Sequence, residues 1–154
     1  MILADVKAGD ELKPLEYDVT ATTVVLGALA TRDWRPMHHD YHFAVERNGV
    51  KDIFMNAPNQ AAWFERYITD WTGPTGRLGR LGFNMRSPVF PDETMVITGT
   101  VTKVEKDATG CGWVELGFAL NVGDEARATG RARVAIPITP DDNPWARRGE
   151  RWVP

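Results

Sequence analysis

The chain has 154 residues, enough for one domain with a proper core and no need of disulfide staples. Its 43% hydrophobic and 25% charged content matches an ordinary globular protein and excludes a fibrous or disordered chain. With a net charge of −3 and scattered basic residues, it lacks the electrostatic footprint of a nucleic-acid binder. No apolar run approaches the length of a membrane span. The first 13 residues mix acidic and apolar side chains without the order of a signal peptide, and Cys111 is the single cysteine. These features predict a cytoplasmic protein that neither crosses a membrane nor binds nucleic acid.

In chain order, Leu15, Tyr17 and Val19 alternate with Glu16 and Asp18, predicting a half-buried strand. Thr20 or Thr22 then caps a helix over 23–30. A loop with Asp33 and Pro36 leads to Asp40, which caps a short helix over 41–47 that Asn48 and Gly49 end. The longest helix is predicted over 58–71, because Pro58 suits a first turn whose N–H groups have no partner. Ala61, Phe64, Ile68 and Trp71 mark its apolar face, and Trp63 and Tyr67 widen it. Glu65, Arg66, Thr69 and Asp70 form the polar side. Trp63 and Phe64 are read as core.

Four strands follow. Leu81, Phe83 and Met85 alternate with Arg80, Gly82, Asn84 and Arg86, until Pro88 and Pro91 turn the chain. Met95, Ile97, Gly99 and Val101 share one face, and Val114, Leu116, Phe118, Leu120 and Val122 another row. Gly123 and Asp124 suit a two-residue hairpin turn, after which Ala126, Ala128, Gly130, Ala132, Val134 and Ile136 are expected to point inward. A strand, a long buried helix and an antiparallel meander predict an α+β layer pair. The chain reads as one domain over 1–154, with an irregular tail from about 138 whose Trp145 and Trp152 are expected to lie on a surface.

The chemistry concentrates in Asp33-Trp34-Arg35-Pro36-Met37-His38. A carboxylate and an imidazole five residues apart, around a loop stiffened by Pro36, can converge on one water and move its proton. His38 with His39, Asp40 and His42 could also suggest a metal. A closed site needs four ligands and no second His or Cys cluster supplies them, so none is predicted. Cys111 has no partner base and is given no nucleophilic role.

This segment resembles the hydratase motif of the MaoC-like (R)-specific enoyl-CoA hydratases. Asp33, Pro36, His38 and Ala44 match, and Met37 is a close apolar substitute. Arg35 stands where Asn is usual, and Arg32 where Gly commonly precedes the Asp. The resemblance extends through the order of elements from about Leu15 to Pro137. Ile53-Phe54-Met55-Asn56 and Tyr67-Ile68-Thr69-Asp70-Trp71 are similar to the small hotdog subunits of hydratases acting on steroid side-chain CoA thioesters.

The resemblance implies a hotdog fold, with an antiparallel sheet wrapped around a long central helix. It implies a hydro-lyase that converts a trans-2-enoyl-CoA to a 3-hydroxyacyl-CoA, with Asp33 and His38 activating water. Backbone N–H groups at the start of the central helix, here at Ala57, would stabilise charge on the thioester oxygen. Arg35, Asn56 and Arg86 are the expected substrate-binding residues. Asn56 could equally cap the helix, and Arg86, with Arg80 on the same strand face, could meet CoA phosphates or be solvated. No cofactor is expected beyond the CoA of the substrate. Because a lone sheet leaves edge groups unpaired, a second hotdog domain is expected as partner, in a homodimer or heterodimer. Two other readings remain: a thioesterase using Glu65, and a non-catalytic subunit that completes a partner's acyl tunnel.

Overall fold

The computed structural model describes all residues, Met1–Pro154. Strand β1 (Glu11–Asp18) is followed by helices α1 (Ala21–Ala30), α2 (Tyr41–Glu46) and α3 (Ala57–Thr72), then by strands β2 (Arg77–Met85), β3 (Thr94–Lys106), β4 (Gly112–Val122) and β5 (Glu125–Ala135). The strands form one antiparallel sheet in the order β1-β3-β4-β5-β2, so β1 and β2 are its edges. Helix α3 lies on one face, as the hotdog arrangement requires.

Each helix starts on a side chain able to accept from the backbone. Thr20 accepts from the Thr23 N–H, Asp40 from Phe43 and Asn56 from Asn59. Such acceptors satisfy N–H groups that no helix can bond internally. Helix α3 stops at Gly73, whose φ of +70° a side chain would resist. Strand β1 begins earlier than the alternation of Leu15 to Val19 suggests. It carries Pro14 on its open edge, where the register shifts between Leu12 and Leu15.

The core lies between α3 and the inner rows of the sheet. Phe64 and Ile68 are fully buried in one cluster with Met95, Ile97, Leu116, Phe118, Leu120, Ala132 and Val134. Gly130 leaves room for the Phe118 ring, where a Cβ would collide. The expected inward row of β5 fails at Ala126. The register slips between Leu120 and Asn121, and Ala126 pairs with Asn121 instead of continuing the row. A bulge of this kind turns the following residues over, because strand side chains alternate with period two.

The helix face also differs from expectation. Asn59, Gln60 and Thr72 are buried with Phe64, Tyr67 and Ile68, whereas Ala61 and Trp71 are only half-buried. Asn59 occupies the space that the missing side chain of Gly27 leaves between α1 and α3, and its amide donates to the Thr23 carbonyl. Trp63 packs on Tyr17 at 4.4 Å rather than in the centre.

The tail packs on part of the outer face of the sheet, around Arg77 and Trp113. Trp152 stacks on Trp113 at 5.0 Å, and the Arg77 guanidinium lies 3.6 Å from the Trp152 ring centre, with Trp145 on it as well. Cys111 and Ala135 complete this small cluster, and burial pushes the Cys111 thiol pKa up. In the turn before β4, Asp107 would be raised by its burial. Donors from Thr109, Trp113 and Cys111 outweigh that effect and hold it down to about 2.

Candidate active site

The loop that carries Asp33 and His38 runs from the end of α1 into a single 3-10 turn, Pro36–His38, that Pro36 opens. Arg32 adopts φ +55° just before Asp33. This left-handed conformation is natural for Gly and costs a side-chain-bearing residue about 1–2 kcal/mol. It accounts physically for the Gly common at this position in the resembling family. Arg32→Gly is expected to raise stability by about 0.5–1 kcal/mol, the relief of strain exceeding the extra unfolded-state entropy of Gly. Chemical denaturation checks this, and a lower midpoint would refute the strain.

Asp33 and His38 do come together. The His38 Nε2 lies 3.6 Å from Asp33 Oδ2, and both side chains are more than nine-tenths buried. That gap is too long for a direct hydrogen bond, yet one water oxygen could bond to both atoms. His38 Nδ1 is 2.7 Å from the Phe54 carbonyl, which can only accept. Nδ1 therefore carries the proton in the neutral ring, leaving the Nε2 lone pair free. Nε2 has no partner in the chain.

Asp33 is held by three groups. Arg35 donates from Nε to Oδ1 at 2.8 Å and from its terminal nitrogen to Oδ2 at 2.7 Å, a two-pronged ion pair. Its backbone N–H also donates to Oδ1. The Asn56 amide donates to Oδ2 at 3.0 Å and to Thr31 Oγ1 at 2.8 Å. The Arg35 guanidinium, helped by Asn56, keeps the Asp33 carboxyl well below the usual carboxylate range despite its burial.

Of the two uses expected of Asn56, orienting the thioester or capping α3, the structure shows the cap through its oxygen, while its nitrogen donates to Asp33 and Thr31. Arg35 is committed to Asp33, although its side chain remains 62% exposed at the cavity rim.

A cavity of about 330 Å³ opens in front of His38, lined by Arg35, Phe54, Asn56, Ala57, Gln60, Met85 and Arg86 among others. Ala57 is the first residue of α3, so its N–H lacks an intrahelical partner. Arg86 reaches this cavity because it lies beyond the end of β2. Arg80 does not share its setting, as it sits on the outer face and donates to the Pro154 carbonyl. A groove of similar size, about 360 Å³, runs along that outer face between Arg80, Arg131, Arg133 and Glu115. No imidazole lines it, whereas His38 lines the cavity at α3.

Glu65 is exposed and does not line the cavity. His39 and His42 are exposed on α2 and its approach. Gln60 was missed by the sequence reading. It follows Asn56 by one helical turn and stands four residues before Phe64 on the row that continues to Ile68 and Thr72, a spacing that puts it on the buried face.

No family model matches the chain. Over 96 residues it is 38% identical to the 3-oxo-4,17-pregnadiene-20-carboxyl-CoA hydratase beta subunit of Mycobacterium tuberculosis, covering 62% of this chain and 74% of that one. The chain belongs to the MaoC-like hotdog hydratase and dehydratase family. This hotdog chain superposes on a chain of the ChsH1–ChsH2 complex from Mycobacterium tuberculosis with a TM-score of 0.79. Identity there is 29%, over 85% of this chain and 98% of that chain. The fold is shared more widely. The MaoC-like dehydratase from Rhodospirillum rubrum gives a TM-score of 0.79 at 17% identity, over 91% of this chain and 99% of that chain. The (R)-hydratase from A. caviae involved in PHA biosynthesis gives 0.76 at 20%, over 86% of this chain and 98% of that chain.

Proposed function

We propose that this chain reversibly adds water to a trans-2-enoyl-CoA thioester, giving a 3-hydroxyacyl-CoA. The observation that carries the reading is the buried, unpartnered His38 Nε2 beside the Asp33 carboxylate, opening on a cavity that also reaches the start of α3.

In the forward direction, a water donates one hydrogen to His38 Nε2 and the other to Asp33 Oδ2. As its oxygen bonds to C3, His38 takes the proton and the C2=C3 electron pair moves toward the thioester carbonyl. The Ala57 N–H, at the positive end of α3, stabilises the charge on that oxygen. Collapse of the enolate takes a proton at C2, returned by the imidazolium, and His38 is neutral again. Asp33 remains a carboxylate throughout. Its acidity makes it a poor base, so His38 moves the proton while Asp33 orients the water and stabilises the imidazolium. Arg35 acts through Asp33, and Arg86 at the rim is suited to the CoA phosphates.

A second hotdog domain completes the site in this reading. Met85 and Arg86, at the end of edge strand β2, line the cavity, and Met85 is half exposed. One structural relative is a chain of a two-chain complex, which favours a different chain as partner.

The test follows absorbance at the enoyl-thioester band with crotonyl-CoA and with a bulky cyclic enoyl-CoA, using the chain alone and the chain purified with its host partner. Native mass spectrometry on the same samples is expected to show the chain paired. Loss of the band is expected from the paired protein. A folded, paired protein that turns over neither compound would overturn the reading in favour of a non-catalytic subunit. Release of free CoA would support a thioesterase instead.

A further inference from the structure

The start of α3 is short of donors for an oxyanion. Ala57 supplies one N–H. Pro58 has none, the Asn59 N–H is taken by Asn56 Oδ1 at 3.3 Å, and the Gln60 N–H by the Asn56 carbonyl at 3.1 Å. A thioester oxygen placed at this helix end would meet a single main-chain donor.

Gln60 stands three residues after Ala57 and therefore on the same side of the helix, and both line the cavity. Gln60 is 1% exposed, and its carboxamide oxygen has no hydrogen-bond partner. Leaving such an oxygen buried and unpaired costs about 1–3 kcal/mol, so the carboxamide contributes nothing to folding that an apolar side chain of the same length would not. With its oxygen enclosed, a hydrogen bond from Gln60 into the cavity has to come from the carboxamide nitrogen. No hydrogen bond within the chain has to break for this.

We infer that the Gln60 carboxamide donates a second hydrogen bond to the substrate's thioester oxygen, replacing the donor that Pro58 lacks. The inference rests on the proposed hydration and names the group that completes its oxyanion site. Its contribution grows as charge develops on that oxygen, so it acts on kcat more than on KM.

Gln60→Met keeps the length and removes the amide, and Gln60→Glu, when ionised, removes the donor. Both are assayed in the paired protein with crotonyl-CoA or whichever enoyl-CoA the wild type hydrates. Loss of one oxyanion donor lowers kcat by about 10²-fold or more, and KM is expected to stay within about threefold. In thermal unfolding, Gln60→Met is expected to match or exceed the wild type, because an unpaired buried polar group has been removed. A kcat within about threefold of wild type would overturn the inference. So would a Gln60→Met protein that loses several degrees in Tm along with its activity, which marks a merely structural residue. Failure of the hydratase reading appears separately, as a wild type without turnover.

Discussion

His38→Ala is expected to lower kcat for enoyl-thioester hydration by about 10²–10⁴-fold, the range that a positioned acid–base group supplies. The ring is fixed at one nitrogen by the Phe54 carbonyl, 2.7 Å away, and presents the other without a partner. No other imidazole lines the cavity, so no neighbour can assume the proton transfer. Asp33→Asn preserves the shape of the site and removes the charge proposed to orient the water and steady the imidazolium. A loss of about 10²-fold or more is expected there as well. In the proposed mechanism the two groups act on one water, so the double variant is expected to be little worse than His38→Ala alone, since residues acting as a unit are not additive. Single-turnover absorbance on the three variants and the wild type checks this. Losses that multiply would mean that the two side chains serve separate steps, and near-normal rates in His38→Ala would place the base elsewhere.

The largest effect on stability is expected at Phe64. Its ring is fully buried at the middle of α3, 4.7 Å from the Phe118 ring and 5.0 Å from Phe83. Phe64→Ala removes both contacts and leaves a cavity that a sheet of paired strands can only partly collapse. A cost of about 3–5 kcal/mol follows, and for a chain of this length roughly 10 °C in Tm. Denaturant and thermal unfolding measure it. A loss below about 1 kcal/mol would show that the α3–sheet contact is not the centre of the core.

Much of this was legible in the sequence wherever one physical rule dominated. Val114, Leu116, Phe118 and Leu120 alternate cleanly because only one face of β4 meets the helix. Asp40 announced α2 because a short acid just before an apolar run satisfies free N–H groups. Asp33 and His38 were identifiable because the loop between them is too short and stiff to separate them. Other features depended on tertiary context. The slip beside Ala126 leaves the composition of β5 unchanged and so carries no signal in it. Gln60 was assigned no place because polar residues are sorted to the wet side by default. Its four-residue spacing from Phe64, Ile68 and Thr72 was the available clue. The Arg35 fork on Asp33 could not be read from an unusual residue at a family position. It required the guanidinium to curl back onto its own loop.

Asn56 links two properties that are usually separable. One end of its side chain accepts from the first turn of α3, and the other holds the carboxylate that faces His38. A variant library screened only for heat tolerance and another screened only for turnover should therefore both return to asparagine at this position. Neither trait can drift there without carrying the other with it.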